Sequence, residues 1–147
     1  MEDIEDFKKS IGKKSRLLGI DPGKKRVGIA ISDENKLVST PLKTIIKKNN
    51  TNVINDILEI IKENNIKGIV VGNPINMDGS KGPSSQSAKD FAKNLSNNIS
   101  IPIVMWDERL SSQGAFNLSS NLDINTSKKV KKLDQNAASF ILQGAID

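Results

Sequence analysis

The chain has 147 residues, and 36% of them are hydrophobic, so its size fits one compact domain with a hydrophobic core. It contains no cysteine and no histidine, which excludes disulfides, Cys-ligated zinc and catalysis by Ser-His-Asp or Cys-His pairs. An enzyme of this composition works with carboxylates, lysines, hydroxyls and hard cations such as Mg²⁺. The net charge of +5 suits a polyanionic partner such as nucleic acid, although a coding bias toward Lys, Asn and Ile, or solubility, would give the same charge.

Residues 1–15 are predicted to form an N-terminal extension before a single domain at 16–147. Apolar residues at Ile4, Phe7 and Ile11 are spaced three and four apart, which predicts a short amphipathic helix that packs on the domain or on a partner. The extension contains no apolar run of signal-peptide length, and no stretch of the chain approaches the roughly 20 apolar residues of a membrane span. The sequence therefore predicts a soluble protein of the cytoplasm.

A hairpin with a carboxylate at its neck is predicted between Arg16 and Ser32. Two apolar runs, Leu17–Ile20 and Val27–Ile31, flank Asp21 and a Pro-Gly turn. The turn carries three consecutive cations, Lys24, Lys25 and Arg26. A carboxylate beside cations indicates phosphate chemistry through a metal, but Asp-Pro-Gly is also ordinary turn chemistry, so the assignment depends on partners elsewhere in the chain.

The rest of the chain alternates between helical and strand patterns. A third strand is predicted at Lys36–Thr40, ended by Pro41, and two later strands at Ile66–Val71 and Ile101–Trp106. Helices are predicted at about 51–65, from Ser84 to about Asn97, near Ser111–Leu118 and at about 134–146. A Gly- and Pro-rich loop, Gly72–Pro83, and a basic linker at Lys128–Lys132 separate them.

This order predicts an α/β fold with a mixed sheet of about five strands and helices on both faces. The first three strands form an antiparallel meander, and right-handed crossovers place strands one, four and five side by side and parallel. Ligands in open α/β sheets bind beyond the carboxyl ends of such strands. Asp21 and the pair Asp107 and Glu108 follow two of these ends.

Three acidic positions are therefore candidates for one site: Asp21, Asp107 or Glu108, and Asp134 at the predicted start of the last helix. Each has a plain alternative, because an acid in a first helical turn gains about 0.3–1 kcal/mol from the helix dipole and Asp107 or Glu108 can pair with Arg109. Three clustered carboxylates repel one another unless cations neutralise them. Two metals about 3.5–4 Å apart would suit in-line phosphodiester hydrolysis.

Four motifs together resemble the YqgF/RuvX family over the region from about Arg16 to the C-terminus. They are Gly19-Ile-Asp-Pro-Gly-Lys-Lys-Arg-Val-Gly-Ile-Ala-Ile-Ser-Asp33, Gly72-Asn-Pro-Ile-Asn-Met-Asp-Gly-Ser80 with Gly82-Pro83, Trp106-Asp-Glu-Arg-Leu-Ser-Ser112, and Asp134-Gln-Asn-Ala-Ala-Ser-Phe-Ile-Leu-Gln143. The resemblance implies an RNase H-like fold related to RuvC resolvases. It implies that Asp21, Glu108 and Asp134 are the catalytic acids that hold Mg²⁺ or Mn²⁺. Adjacent residues at a strand end point to opposite faces, so only one of Asp107 and Glu108 is expected there, and the resemblance favours Glu108.

The same resemblance implies a nuclease that matures the 5′ end of the small-subunit (16S) ribosomal RNA precursor, with Holliday-junction resolution as the alternative. The substrate is then structured RNA or branched DNA, and the protein a monomer or a homodimer. The expected phosphate contacts are Lys24, Lys25, Arg26, Arg109, Lys131 and Lys132, although the lysine run is equally consistent with a solvated linker. Asn73 and Ser84 depart from the family pattern, where an apolar and a basic residue are expected, which leaves the substrate contacts of that loop open.

Two other classes of function fit parts of the sequence. A nucleic-acid-binding or transcription factor with little catalysis would use the same basic surface without cleaving. An ATP-handling enzyme of the actin and hexokinase kind shares the fold and an Asp-x-Gly turn, but it needs two lobes and this chain has the length of one.

Overall fold

The structure is a computed structural model that describes residues 4–73, 83–107 and 127–147, with side chains at 4–73, 86–107 and 136–147. In chain order its elements are α1 (Ile4–Ser10), β1 (Arg16–Pro22), β2 (Arg26–Ser32), β3 (Ser39–Ile46), α2 (Asn50–Asn64), β4 (Ile66–Asn73), α3 (Pro83–Asn98), β5 (Ile103–Asp107) and α4 (Ser127–Ile146). The predicted helix near 111–118 lies outside the described residues. Within the described ranges, no helix combines the length and the apolar character that a membrane crossing requires.

The strands form one five-stranded sheet in the order β3-β2-β1-β4-β5. β1 pairs antiparallel with β2 and parallel with β4, and β5 joins β4 in parallel. The predicted mixed sheet, with strands one, four and five adjacent and parallel, is confirmed. Because β1 lies at the centre, its carboxyl end opens onto the middle of the sheet edge.

Two apolar clusters cover the two faces of the sheet. On the first face, Leu18, Ile20, Ile69 and Val71 pack with residues of α2 and α3; we call this the α2/α3 face. On the second, Leu17, Ala30, Val70 and Val104 pack with residues of α1 and α4; we call this the α4 face. Alternate residues of β1, β2, β4 and β5 belong to opposite clusters, as the two-residue period of a strand requires.

The N-terminal helix packs on the domain. Phe7 is only 1% exposed, and Ile11 is also buried in the cluster on the α4 face. A methyl group at Gly68 would lie within 3.0 Å of the side chains of Phe7, Ile11 and Leu17, so β4 has a glycine where α1 crosses it. The spacing of apolar residues in the extension is therefore a packing signal.

The third strand lies later in the chain than the sequence pattern predicts. It runs from Ser39 to Ile46 and includes Pro41, whereas Lys36 to Val38 belong to the preceding turn. The prediction that Pro41 ends the strand was wrong because β3 is an edge strand, where a residue without an N–H is tolerated. Pro41 pairs with Ala30, directly beside a register shift between β2 and β3.

The last helix begins seven residues earlier than predicted, at Ser127. The lysine run Lys128–Lys132 therefore lies in α4, and its interpretation as a linker was wrong.

The second helix, α2, lies within one residue of its predicted bounds. Asn49 and Asn52 form a reciprocal capping box at its start, and Asn65 closes it in the left-handed conformation, with φ 53°.

Candidate active site

Asp21 lies at the carboxyl end of the central strand and is half-buried. It pairs across the sheet with Gly28 of β2. Leu17 belongs to the cluster on the α4 face, and Asp21 follows it by four residues, so Asp21 is on the same face. Asp21, the carboxylate of the predicted hairpin, therefore lies near the end of β1 on the face of the sheet that α4 covers.

Glycines flank Asp21 on both sides along the sheet. Gly28 is its partner on β2, and the pairing of Ile20 with Val71 places Gly72 as the next residue of β4 on the other side. Neither glycine has a side chain, so the residues next to Asp21 on β2 and β4 place no side-chain atoms on the α4 face. Trp106, which pairs with Gly72, stands beyond it on β5, and its indole Nε1 is buried without a hydrogen-bond partner in the described part of the chain. We call the region between Gly28 and Trp106 the glycine gap.

Close packing against β1 fixes the position of α4. A methyl group at Gly19 would lie 2.7 Å from Leu142 Cβ and 3.0 Å from the carbonyl oxygen of Ala138, so only glycine permits this approach. Ala138 and Leu142 are themselves fully buried. The helix therefore lies directly on the strand that carries Asp21, two residues before it.

Hydrogen bonds near the carboxyl end of α4 show its direction. The Ser39 N–H donates to Gln143 Oε1 at 2.9 Å, and the Ser39 and Ser139 hydroxyls are 3.1 Å apart. Ser39 pairs with Ser32, at the far end of the sheet from Asp21. The helix thus runs opposite to β1, and its first half extends toward the edge where Asp21 lies.

The predicted acidic partners of Asp21 occupy different kinds of position. Asp107 ends β5 and pairs with Asn73, and its alternation with Trp106 places it on the α2/α3 face, away from Asp21. Glu108 and Arg109 lie outside the described residues. Asp134 lies in α4, seven residues after Ser127, so it is not in the first turn. The explanation of Asp134 by the helix dipole, which falls off within one turn, does not apply.

The predicted phosphate-binding residues also occupy different kinds of position. Lys24 and Lys25 are exposed on the turn after Asp21, and Arg26 is half-buried as the first residue of β2. Lys131 and Lys132 lie in the first half of α4, where the structure describes the backbone. Of the predicted basic residues, the structure thus brings Lys24, Lys25 and Arg26 to the edge of the sheet that Asp21 occupies.

A cavity of about 350 Å³ adjoins this turn, and its described lining residues are Pro22, Gly23, Lys24, Lys47, Ser87 and Phe91. We call it the turn cavity. Lys47, which the sequence interpretation did not select, is held there because its N–H donates to the Lys25 carbonyl oxygen at 2.9 Å. Lys47 directly follows the observed β3, but the predicted third strand ended at Pro41, so nothing in the sequence pattern indicated that Lys47 adjoins residues 22–24.

An acidic group with a shifted pKa, Asp33, lies at the opposite end of the sheet. Asp33 accepts hydrogen bonds from the N–H groups of Val38, at 2.9 Å, and Leu37, at 2.8 Å. The bond from Val38, aided by that from Leu37, lowers the pKa of the Asp33 carboxyl below its ordinary value. This carboxylate closes the β2–β3 turn.

Among the described side chains, no three Asp or Glu residues come together as a potential metal site, and of the predicted triad only Asp21 is among them.

The fold is RNase H-like, and two solved structures that share it are Holliday junction resolvases. RuvC of Thermus thermophilus in complex with a Holliday junction substrate superposes with a TM-score of 0.55 at 12% identity, covering 90% of this chain and 93% of that chain. The yeast mitochondrial Holliday junction resolvase Ydc2 gives a TM-score of 0.51 at 12% identity, over 97% of this chain and 82% of that chain. These similarities confirm the predicted fold class.

Sequence comparison gives the family. The family model described as RuvX, Holliday junction resolvase, matches residues 15–147, so the chain belongs to the RuvX family. A relative from Pelagibacter ubique, named "Putative pre-16S rRNA nuclease", is 58% identical over 98% of this chain and 95% of its own length. A relative of the same name from Ruegeria sp. is 45% identical over 98% of this chain and 92% of its own length. The resemblance found in the four motifs is thereby confirmed.

Proposed function

We propose that the protein is a metal-dependent endonuclease that hydrolyses phosphodiester bonds in structured RNA, with the precursor of 16S ribosomal RNA as its substrate in the cytoplasm. Membership of the RuvX family and the name shared by the relatives support this class of activity. The observation that carries the proposal is the position of Asp21, half-buried at the carboxyl end of the central strand and flanked by Gly28 and Gly72.

Backbone geometry supports Asp134 as a partner of Asp21. The strand advances about 6.6 Å in the two residues from Gly19 to Asp21, and a helix advances about 6 Å in the four residues between Asp134 and Ala138. Gly19 and Ala138 are already in contact, and α4 runs opposite to β1, so both advances go the same way. Residues four apart also share one side of a helix, so Asp134 is one turn beyond the contact point.

Strand alternation supports Glu108 rather than Asp107 as the third acid. Trp106 belongs to the cluster on the α4 face, so the alternation that places Asp107 on the opposite face would return to the α4 face at position 108. On that face, Glu108 would complete a set with Asp21 and Asp134. This assignment agrees with the residues that the family resemblance implies.

The donor set fits a hard divalent cation. Carboxylate oxygens are the ligands that Mg²⁺ and Mn²⁺ take in proteins, and the residues beside Asp21 on the neighbouring strands, Gly28 and Gly72, contribute no side chain there. Asp21, Glu108 and Asp134 would hold the ions. When bound, the ions would activate a water molecule and stabilise the leaving oxygen of the cleaved phosphodiester.

The basic residues supply binding and register. Lys24 and Lys25 are exposed immediately beyond Asp21, and Arg26 begins the strand that returns from it. Cations at this position hold the phosphate backbone without reading its sequence. Lys131 and Lys132 would extend the same function from α4, and Arg109 stays a predicted phosphate contact outside the described residues. These basic residues therefore orient the nucleic-acid strand, while substrate selection comes from the shape of the folded RNA.

The test is cleavage of 16S precursor RNA and of a four-way DNA junction, each with Mg²⁺ or Mn²⁺, by Asp21→Asn and by Asp107→Asn. We expect Asp21→Asn to lose at least about 100-fold in cleavage rate, since even residues that only support a metal ligand cost 10–100-fold when removed. Asp107→Asn is the matched control on the other face and should retain most of its rate.

The two substrates and the control separate the alternatives. Wild-type activity in Asp21→Asn would contradict the proposed metal site, and equal losses in both variants would contradict the assignment by strand face. Cleavage of the junction but not of the RNA would make the protein a resolvase. Binding of either substrate without cleavage by the wild-type protein would favour the non-catalytic alternative.

A further inference from the structure

The turn cavity lies at the same end of the sheet as Asp21 but on the other face. Pro22 and Gly23 line it and follow Asp21 directly. Phe91 of α3 packs against the apolar cluster of the α2/α3 face, which places its part of the wall on that face. A nucleic-acid strand that crosses the sheet edge at Asp21 would therefore meet this cavity next.

The charge of the turn cavity suits a phosphate. Lys24 and Lys47 contribute two ammonium groups and Ser87 a hydroxyl, and none of the described lining residues is acidic. The hydrogen bond from the Lys47 N–H to the Lys25 carbonyl oxygen, at 2.9 Å, holds the end of β3 against the turn. The two lysines come from separate elements, so their convergence is a property of the fold and not of a local charge run.

Phe91 gives the cavity an aromatic wall. Its neighbours on the inner side of α3, namely Ala88, Ala92 and Leu95, are at most 1% exposed, whereas Phe91 is half-buried and lines the cavity. An accessible aromatic ring beside lysines is the combination that single-stranded nucleic-acid sites use, because bases stack on rings while cations hold the backbone. The volume of about 350 Å³ falls in the range of small-ligand pockets, roughly 300–1,000 Å³.

We propose that the turn cavity binds one nucleotide of the substrate strand beside the cleaved phosphodiester, with Lys24 and Lys47 on its phosphate and Phe91 stacked on its base. This inference rests on the proposed nuclease function, since it names a further contact of the same substrate. It adds Lys47, Ser87 and Phe91 to the substrate-binding residues and extends the binding surface onto the α2/α3 face.

The test measures binding in metal-free buffer with EDTA, so that cleavage is not needed. The probe is a fluorescein-labelled single-stranded RNA of about ten nucleotides, within the usual site size of such proteins. Phe91→Leu removes the ring but keeps an apolar side chain, and Lys47→Ala removes one charge. Lys43→Ala is the matched control, since Lys43 is exposed on β3 and does not line the cavity. Thermal unfolding verifies that each variant is folded.

We expect Phe91→Leu to weaken binding by about 5-fold or more and to leave its salt dependence unchanged, because stacking is not electrostatic. Lys47→Ala should reduce the slope of log K against log salt by about 0.7, the value for one phosphate contact to a single strand. Lys43→Ala should change neither quantity by as much. With 2-aminopurine scanned along the probe, one position should show a fluorescence change that Phe91→Leu abolishes.

Two results would overturn the inference. One is wild-type affinity in folded Phe91→Leu, and the other is the same change of slope in Lys43→Ala as in Lys47→Ala. If the wild-type protein cleaves RNA while the cavity variants bind normally, the cavity assignment alone is wrong. If the wild-type protein neither binds nor cleaves RNA, the proposed function is wrong as well.

Discussion

The two faces of the sheet are built from different residues. On the α2/α3 face, the strands present large branched side chains such as Leu18, Ile20 and Val71, which α2 and α3 bury. On the α4 face, the same strands have glycines, Gly19 on β1 and Gly28 on β2, next in sequence to the isoleucines and valine of the α2/α3 face. Asp21 lies on the α4 face with them, two residues after Gly19 and paired with Gly28. Among the described residues, the α2/α3 face has the larger buried cluster, whereas the α4 face has the close contact of α4 with Gly19 and the glycine beside Asp21.

The largest effect on stability is expected on the α2/α3 face. Ile57 of α2 is fully buried, so Ile57→Ala should lower the free energy of unfolding by about 2–5 kcal/mol through lost burial and a residual cavity. Urea denaturation measures this loss. Since α2 packs on the face opposite Asp21, the cleavage rate per folded molecule should stay near that of the wild type.

If Ile57→Ala cleaves more slowly than the wild type at the same folded fraction, the proposal that the α2/α3 face affects stability without affecting the site is wrong. The comparison needs a temperature at which the variant is still folded, because a domain of this kind has a total stability of only about 5–15 kcal/mol.

On the α4 face, Gly19→Ala should cost less stability than Ile57→Ala but lose more cleavage activity. Gly19→Ala places a methyl group against Leu142 Cβ and the Ala138 carbonyl oxygen, so α4 must move away from β1. The cost should be about 1–3 kcal/mol, typical of an overpacked contact. Because α4 carries Asp134, the cleavage rate should fall further than in Ile57→Ala at the same folded fraction, measured on the same RNA. Equal rates in the two variants would show that the Gly19 contact does not set the site.

The smallest effect concerns the end of the sheet away from Asp21. Hydrogen bonds, chiefly from the Val38 N–H, lower the pKa of Asp33 below 3.8 in the folded protein, so its ionised form stabilises the β2–β3 turn above pH of about 3.8. This contribution is lost as the pH falls through the lowered pKa. Hydrogen exchange at the Leu37 and Val38 amides should therefore lose protection at acid pH, and Asp33→Ala should show that loss at neutral pH. Protection that does not depend on pH would contradict this account of the turn.

Much of the fold followed from the pattern of apolar residues. Apolar runs identified β1, β2 and β4, and a helical spacing of apolar residues identified α2, because each of these elements buries one defined face or both. The start of α4 was missed because Ser127 to Lys132 contains a single apolar residue, Val130, and so has no amphipathic signal. Lysine is nevertheless a good helix former, and adding turns to an existing helix costs little compared with nucleation.

The candidate site was only partly predictable. The position of Asp21 at a strand end, the basic turn and the parallel arrangement of β1, β4 and β5 followed from local signals and crossover rules. The turn cavity did not, because its lining residues come from three separate stretches of the chain, at 22–24, 47 and 87–91. Whether Asp107 faces Asp21 was also open until the register of β5 fixed the alternation of its residues.

Pro41 has a consequence for how the sheet meets other molecules. β3 is the outer strand beside β2, and such an edge invites a strand from another chain to extend the hydrogen-bonded ladder. Pro41 lacks the N–H that one rung of that ladder needs, and the neighbouring register shift bends the strand. The protein can thus leave Leu42 and Ile46 exposed on this strand while offering a poor template for edge-to-edge aggregation.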